Sequence, residues 1–172
     1  TNTGKTSLLR TLLRDERFGE VDDRPSTTSG VSVARLAVGG VPLLDFADTP
    51  GLEDSVGMLE WLESDRRPGE DGLDLLRRRL ADPACDRGGR FGQEAMALRA
   101  LLQSDAAFYV IDARDPVRAR HRDELTILGW SARPVVPVLN FAADATARVD
   151  AWRDQLRRVN MHATAEFDTV VY

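Results

Sequence analysis

Two short apolar runs with a helical segment between them leave this chain few folds to choose from. Residues 106–111 are continuously apolar and residues 134–141 nearly so, as expected of strands buried on both faces of a sheet. Residues 118–130, between the two runs, have the pattern of a helix. A helix that connects two buried strands makes those strands parallel. The pattern therefore predicts an α/β fold with a mostly parallel sheet and helices on both faces.

The same alternation continues on either side of these runs. Residues 31–38 and 41–48 are predicted strands that Gly39-Gly40 joins in a two-residue hairpin turn, which adds one antiparallel strand. Four more helices are predicted, over 53–65, 71–81, 91–104 and 145–159. A last strand is predicted over 165–172. We expect a single domain over residues 1–172, a fragment of a longer protein whose first strand and last helix lie outside it.

Composition excludes several classes of protein. With 172 residues, of which 42% are hydrophobic and 30% charged, the chain has the size and composition of one globular domain. The single cysteine, Cys85, excludes an internal disulfide and is typical of a reducing compartment, so we predict a cytoplasmic protein. No apolar run approaches the roughly 18 residues of a membrane-spanning helix. The net charge of −5 makes this domain a poor candidate for coating nucleic acid.

A glycine-lysine-threonine turn stands in front of a leucine-rich helical pattern. Lys5 is the only lysine among the 23 Lys and Arg residues of the chain. In a phosphate-binding loop, Gly4 lets backbone N–H groups face phosphate oxygens, Lys5 places a charge on the β- and γ-phosphates, and Thr6 offers a hydroxyl to Mg²⁺. The alternative is a turn without a ligand. The leucine-rich helix that follows favours the phosphate-binding interpretation.

A second motif, Asp48-Thr49-Pro50-Gly51, ends the second hairpin strand. A carboxylate at the end of a strand can hold Mg²⁺ through water, and a glycine N–H three residues later can contact a γ-phosphate and sense its loss. A helix-capping aspartate before a proline turn is the alternative. A phosphate loop, a hairpin and this motif rarely occur in this order by chance, so the order favours a nucleotide site.

These motifs resemble those of the P-loop GTPases of the TrmE–Era–EngA–EngB–septin, or Era-like, class. The resemblance extends along nearly the whole chain, to the first motif, the paired threonines of switch I, the third motif and a strand-end signature, at residues 1–6, 27–28, 48–51 and 109–114. Several segments are more narrowly similar to bacterial Era-like GTPases that carry a C-terminal domain of unknown function. The resemblance implies a three-layer P-loop NTPase fold and slow Mg²⁺-dependent hydrolysis of GTP to GDP and phosphate.

The resemblance also assigns roles to individual residues. It implies that Lys5, Asn2 and Thr28 act in catalysis. It implies Mg²⁺ ligands at Thr6, at Thr28 and, through water, at Asp48. Nucleotide contacts are implied along the phosphate loop, the third motif and the base-binding motif, at Asn2, Thr3, Gly4, Lys5, Thr6, Ser7, Gly51, Asn140, Phe141 and Asp144.

The base-binding motif departs from the family pattern. The family has Asn-Lys-x-Asp, whose aspartate binds guanine, whereas this chain has Asn140-Phe141-Ala142-Ala143-Asp144. Phe141 replaces the lysine stem, and its ring could cover a face of the base by stacking. Asp144 lies one position late, so that either a bulge brings it to the base or it caps the next helix. The residues leave both interpretations open, and guanine preference rests on the resemblance.

The position after the third motif also departs from Ras-like enzymes. Leu52 stands where those enzymes place a glutamine that positions the attacking water. Era-like relatives share this substitution, and several use K⁺ to neutralise charge between the β- and γ-phosphates. The resemblance therefore implies a K⁺ ligand at Asn2, and an asparagine that braces its own loop is the alternative.

Residues 52–104 are long for a connection between the third motif and the next strand. We predict an extended switch II region with inserted helices and, on it, a surface for an unknown protein partner. Two other functions stay open. One is an ATP-hydrolysing P-loop NTPase, because the base motif is altered; the other is a nucleotide-gated interaction module with negligible turnover, because of Leu52. Association with the ribosome or with RNA is open only for the longer protein.

Overall fold

Helices and strands alternate along the chain in the computed structural model, which describes residues 3–13, 31–38, 40–86 and 88–168. Within these residues the elements are, in chain order, α1 (Lys5–Leu13), β1 (Ser32–Val38), β2 (Val41–Asp48), α2 (Ser55–Glu63), α3 (Gly72–Arg79), α4 (Gly92–Gln103), β3 (Ala107–Asp112), α5 (Ala119–Gly129), β4 (Val135–Asn140), α6 (Val149–Arg158) and β5 (Ala165–Phe167). None of the helices in these ranges combines the length and the apolar composition needed to cross a membrane. The predicted turn residue Gly39 and positions 169–172 of the predicted last strand lie outside the described residues.

The described strands form two sheets. β1 and β2 pair as an antiparallel hairpin, with Ser32 opposite Asp48. β3, β4 and β5 form a parallel sheet in that order, with Asn140 of β4 between Asp112 and Phe167. We expected the hairpin to add an antiparallel strand to this sheet; in the part of the chain that the structure describes, its two strands pair only with each other. The predicted mixed α/β class is confirmed.

Helices cover both faces of the parallel sheet, because successive side chains of a buried strand point to opposite faces. On one face, Val110 of β3 and Val138 of β4 pack with Leu8 of α1. On the other face, a buried cluster joins β3 and β4 to α5 and α6 through Ile111, Ala113, Leu125, Leu139, Trp152 and Leu156. The sheet lies between two helical layers, and the carboxyl ends of its strands meet at one edge.

The helices between residues 52 and 104 build a core of their own. Buried apolar side chains come from α2, α3, α4 and their connections, namely Met58, Leu62, Leu75, Leu76, Leu80, Cys85, Phe91, Ala95, Leu98 and Leu101. Ile127 of α5 completes this cluster and attaches it to the rest of the domain. The guanidinium of Arg79 lies 3.7 Å from the centre of the Trp61 ring and donates a 2.6 Å hydrogen bond to the Trp61 carbonyl oxygen. The cation–π contact and the hydrogen bond together let this buried charge stabilise the cluster.

One helix boundary differs clearly from its prediction. The helix expected over 145–159 begins at Val149. Just before it, the Arg148 N–H donates to the Ala113 carbonyl oxygen at 2.7 Å, beyond the end of β3. Because that N–H is bonded to the turn after β3 and not to the carbonyl four residues earlier, the α-helical hydrogen bonds start only after it.

A cleft of about 1200 Å³ separates the hairpin from the parallel sheet. Its walls are largely apolar and include Leu43 and Leu44 on β2 and Phe108 on β3, each about half exposed. At one end the cleft reaches Lys5 and Asp48. Lys5 and Asp48 make this end of the cleft polar.

We predict that Gly72→Ala destabilises the fold. Gly72 opens α3 against Trp130, and an added Cβ would lie 2.3 Å from the Trp130 Cγ, well inside van der Waals contact. Such overpacking costs roughly 1–3 kcal/mol. In Gly129→Ala, the matched control, the added Cβ meets no described atom within 4 Å, so the free energy of unfolding should stay unchanged or rise by at most about 1 kcal/mol. Urea unfolding followed by circular dichroism compares the two variants, and equal changes would contradict the predicted clash.

The buried imidazole of His121 makes stability depend on pH. It packs against Trp152, with ring centroids 4.9 Å apart. Burial, helped by the charge of Arg120, lowers the pKa of His121 from 6.5 to about 4, although Asp115 opposes the shift. The unfolded chain therefore binds a proton near pH 6.5 that the folded protein binds only near pH 4. The contribution of the neutral His121 imidazole to the free energy of unfolding is complete above pH 6.5 and is lost as the pH falls toward 4.

We predict that His121 accounts for a loss of roughly 1–2 kcal/mol in the free energy of unfolding between pH 7 and pH 5. His121→Asn should remove this part of the pH dependence, since its side-chain oxygen can still accept the Arg118 N–H that Nδ1 accepts at 3.2 Å. His162→Asn, at an exposed histidine, is the matched control. Urea unfolding at the two pH values tests the prediction, which fails if His121→Asn keeps the wild-type dependence.

Candidate nucleotide-binding site

Gly4, at the end of the turn before α1, has the backbone conformation that a phosphate-binding loop needs at this position. Gly4 is buried and has a φ of +86°, a left-handed conformation that glycine adopts without strain. Its carbonyl oxygen accepts the N–H of Leu8 at 2.9 Å, so the helix starts immediately after it, at Lys5. The first N–H groups of a helix have no partner within the helix and can bind an anion, and the helix dipole adds positive potential.

Predicted residues from two segments, the start of α1 and the third motif, meet beside this turn. The Thr6 hydroxyl donates to Asp48 Oδ2 at 3.0 Å, a partly buried contact between α1 and the end of β2. A Cβ built on Gly51 would lie 3.9 Å from the Nζ of Lys5, so the ammonium group is beside the third motif. A hydroxyl, a carboxylate, an ammonium and a glycine backbone are thus together at the polar end of the cleft. Ser7 lies half-buried one residue farther along α1.

The end of β4 is bonded directly to the phosphate loop. Asn140 is completely buried, and its side-chain N–H donates to the Thr3 carbonyl oxygen at 2.9 Å. Its side-chain oxygen accepts the N–H of Phe141, also at 2.9 Å. The phosphate loop and the base-binding motif therefore lie against each other, although 137 positions separate the two bonded residues in the sequence.

Two carboxylates lie near the base-binding motif. The Asp144 carboxylate accepts the hydroxyl and the N–H of Thr146, both at 2.7 Å, and these hydrogen bonds lower its pKa. They close a turn ahead of α6. Asp168, directly after β5, accepts the N–H of Ala143 at 2.9 Å. The sequence alone did not single out Asp168, because only the register of β4 against β5 brings it to this loop.

A stacked pair beside the motif was not predicted. The Arg114 guanidinium lies 3.7 Å from the centre of the Phe141 ring and donates two hydrogen bonds to Asp112, at 2.9 and 2.7 Å. This pairing holds the pKa of the Asp112 carboxyl below its ordinary value. Phe141 has a φ of +59°, which is strained for a bulky side chain. The position of the residues in the sequence could have indicated this stack. Asp112 and Asn140 both end strands of the parallel sheet, and the residues that follow the ends of parallel strands meet at one edge of the sheet.

A half-buried polar pair lies near Lys5. The Tyr109 hydroxyl donates a hydrogen bond to the Glu124 carboxylate. Burial raises the pKa of both groups, and the charges of Arg120 and Lys5 oppose the shift of Glu124. Glu124 is therefore a negative neighbour of the phosphate-loop lysine that no sequence pattern indicated. In the described ranges, no three His, Cys, Asp or Glu side chains form a cluster that could hold a metal ion.

Two predicted residues fall outside the described part of the chain. Asn2, predicted to bind K⁺ and to act in catalysis, precedes the first described residue. Thr28, predicted to bind Mg²⁺ from switch I, lies within 14–30. The described residues can bind an anion at the start of α1, next to two oxygen donors suited to a divalent cation.

Comparison with known proteins agrees with this site. Residues 1–141 match the family model described as 50S ribosome-binding GTPase. The chain is similar to the tRNA modification GTPase MnmE of Heliobacterium modesticaldum, with 27% identity over 152 residues, which are 88% of this chain and 25% of that protein. It is also similar to the tRNA modification GTPase MnmE of a Jannaschia species, with 42% identity over 59 residues, which are 34% of this chain and 13% of that protein. The chain spans no more than about a quarter of the length of these relatives.

The family match covers the segments that meet at the site. It includes the phosphate loop, the hairpin strands, the third motif and the first two residues of the base-binding motif, Asn140 and Phe141. The resemblance to Era-like P-loop GTPases that the motifs indicated is therefore confirmed. The chain belongs to the family of 50S ribosome-binding GTPases, and within it is a P-loop GTPase domain of the TrmE/Era-like class.

Proposed function

We propose that this domain is a molecular switch that binds GTP with Mg²⁺ and hydrolyses it to GDP and phosphate. The observation that carries the proposal is the 3.0 Å contact between Thr6 and Asp48, with the Lys5 ammonium beside Gly51. Hard oxygen donors and a cation at the start of a helix suit a triphosphate and its divalent ion. The single cysteine, which is buried, supports a cytoplasmic location as part of the same proposal.

Each residue has a distinct task in this proposal. The N–H groups that follow Gly4 bind phosphate oxygens, and the Lys5 ammonium neutralises the charge that develops between the β- and γ-phosphates. The Gly51 N–H contacts the γ-phosphate, and losing that contact after hydrolysis releases the segment behind it. Asn140 and Phe141 hold the base.

The residues present fit Mg²⁺. A threonine hydroxyl and a carboxylate are hard oxygen donors of the kind that Mg²⁺ prefers. Thr6 and Asp48 would hold the ion, with Thr28 as a further donor from the segment outside the described residues. Phosphate oxygens and water would supply the other oxygen ligands that Mg²⁺ prefers. When bound, the ion neutralises charge on the transferred phosphate.

Leu52 makes intrinsic hydrolysis slow in this proposal. Its side chain packs against the apolar cluster of α2, α3 and α4 and offers no group that could position water. A K⁺ ion held by Asn2 would supply part of the missing charge neutralisation. The same leucine favours the second candidate function, a nucleotide-gated interaction module with negligible turnover.

The helices within 52–104 are the proposed surface for a protein partner. The segment behind Gly51 is bonded to two of the neighbouring helices. The Asp54 N–H donates to the buried Glu94 carboxylate of α4 at 3.0 Å, and the Ser55 hydroxyl donates to a carbonyl oxygen of α5 at 2.9 Å. A displacement at the third motif would therefore strain or break these hydrogen bonds. The surface that a protein partner contacts would then differ between the GTP-bound and the GDP-bound states. Ribosome or RNA association is proposed for the whole protein only.

We expect phosphate release from GTP in the presence of Mg²⁺. Chelating Mg²⁺, or replacing Asp48 or Thr6 by alanine, should lower the rate at least about a hundred-fold, because the phosphate charge is no longer neutralised. Thr11→Ala, at an exposed threonine of the same helix, should leave the rate unchanged. If Asn2 holds K⁺, replacing K⁺ by Na⁺ also slows release.

Two outcomes would revise this part of the proposal. Tight GTP binding with no phosphate release above background, at saturating Mg²⁺ and K⁺, would favour the interaction module. Equal rates of phosphate release in K⁺ and in Na⁺ would contradict a role for K⁺ in hydrolysis and the role of Asn2 as its ligand.

We expect unlabelled GTP to displace fluorescent GDP at least about ten-fold more effectively than ATP does. Asp144→Ala should weaken this preference if the carboxylate reads the guanine edge. Asp71→Ala, which removes a carboxylate that accepts the Asp74 N–H at 2.9 Å at the start of α3, controls for the loss of a local hydrogen bond to the backbone. If only Asp168→Ala loses the preference for GTP over ATP, the Asp168 carboxylate, and not that of Asp144, reads the guanine edge. Equal displacement by GTP and ATP would favour the third candidate, an ATP-hydrolysing P-loop NTPase.

A further inference from the structure

We propose that Glu94 of α4 is a positioning residue that sets how strongly the domain prefers GTP over GDP. It acts through the segment that follows Gly51, which it holds beside the phosphate loop by a hydrogen bond to a buried carboxylate. The inference rests on the proposed function and deepens it, because it names the residue through which a helix within 52–104 acts on the bound nucleotide. The place of Gly51, the contacts of Asp54 and the burial of Glu94 carry the argument.

Gly51 lies close to the cation of the phosphate loop. A Cβ built on Gly51 would be 3.9 Å from the Nζ of Lys5, the group assigned above to the β- and γ-phosphates. The third motif is thus near the place of the γ-phosphate. A bond that holds the residues after Gly51 in this arrangement favours GTP, because GDP has no γ-phosphate for the Gly51 N–H to contact.

The bond that holds this segment ends on a buried carboxylate. The Asp54 N–H donates to the Glu94 Oε1 at 3.0 Å, and Glu94 is only 5% exposed. Three residues span at most about 11 Å when fully extended, so fixing Asp54 limits where Gly51 can move. A hydrogen bond to a carboxylate is stronger than one to a neutral oxygen, and the burial of that carboxylate reduces competition from water.

Asp54 is also held through its own side chain. Its carboxylate accepts the Gly57 N–H at 2.9 Å and lies 3.4 Å from the Nη2 of Arg90. These groups pack so closely that a Cβ built on Gly57 would lie 2.4 Å from the Asp54 Oδ2 and 2.6 Å from the Arg90 Nη2. Arg90 precedes α4, and Glu94 belongs to its first turn. One short stretch of chain therefore contacts both the backbone and the side chain of Asp54.

Packing alone does not account for a carboxylate at this position. Its neighbours Ala95 and Leu98 on α4 are buried in the apolar cluster, which fixes the helix. In the part of the chain that the structure describes, Glu94 forms no ion pair. A buried carboxylate without a cation costs more free energy than an apolar side chain of similar volume. Proteins accept such costs mainly at functional positions.

The test measures the two nucleotides separately. Calorimetry gives the Kd values of GDP and of a non-hydrolysable GTP analogue, each with Mg²⁺, for the wild type and its variants. Glu94→Met fills the same buried space without an acceptor oxygen, so the free energy of unfolding in urea should stay unchanged or rise. The Kd of the GTP analogue should nevertheless rise roughly ten-fold and that of GDP less than about two-fold, because only GTP uses the held Gly51 N–H.

Two further variants separate positioning from packing. Glu94→Gln keeps a side-chain oxygen that can accept the Asp54 N–H, so both Kd values should stay within about three-fold of the wild type. Gln93→Ala, at an exposed residue of the same helical turn, is the matched control and should change neither Kd.

Four outcomes would overturn the role of Glu94 while nucleotide binding stands. Glu94→Met could weaken both nucleotides equally, or weaken neither. It could bind the GTP analogue more tightly, in which case the bond holds the third motif away from the γ-phosphate. Glu94→Gln could bind the analogue as weakly as Glu94→Met does, in which case the acceptor oxygen is not what matters. A wild type that binds neither nucleotide would overturn the proposed function itself.

Discussion

The buried hydrogen bond between Asn140 and the Thr3 carbonyl oxygen joins the two ends of the proposed nucleotide site. It ties the loop that begins α1 to the motif that ends β4, in addition to the packing of Leu8 of α1 with Val138 of β4. The Asn140 side chain is completely buried, so leaving its amide without a partner would cost about 1–3 kcal/mol. β4 is also the central strand of the parallel sheet. The site is therefore anchored where packing on both faces leaves the backbone least freedom.

A second constraint links this site to the helices within 52–104. The third motif leads directly into Leu52, which packs on the apolar cluster of those helices. Two residues later the chain is held by the buried Glu94 carboxylate. The residues that would sense a γ-phosphate and the residues that attach the helical region are thus almost adjacent in the chain. Any rearrangement at Gly51 has to be accommodated by that region, because a packed core cannot deform continuously.

Local patterns were sufficient to predict most elements and the phosphate loop. The apolar runs at 106–111 and 134–141 correspond to β3 and β4. The predicted burial on both faces fits β4 better than β3, because Phe108 of β3 is about half exposed. The glycine that precedes Lys5 has the left-handed φ that the motif demands. Sequence patterns predicted element boundaries less well where a single tertiary contact sets the boundary. The helix predicted from 145 begins at Val149, after the Arg148 N–H that is bonded to the Ala113 carbonyl oxygen.

The sequence by itself determined which chemical groups are present and in what order, from a phosphate loop through a strand-end carboxylate to an altered base motif. Only the tertiary structure decided which of these groups meet. Arg78 and Arg79 are indistinguishable in a run of arginines, yet one pairs with Glu70 at 2.7 Å and the other is buried on Trp61. The stack that backs Phe141 likewise depends on strand register. Periodicity specifies faces of single elements, whereas hydrogen bonds, ion pairs and stacks depend on distances that arise only when the elements pack.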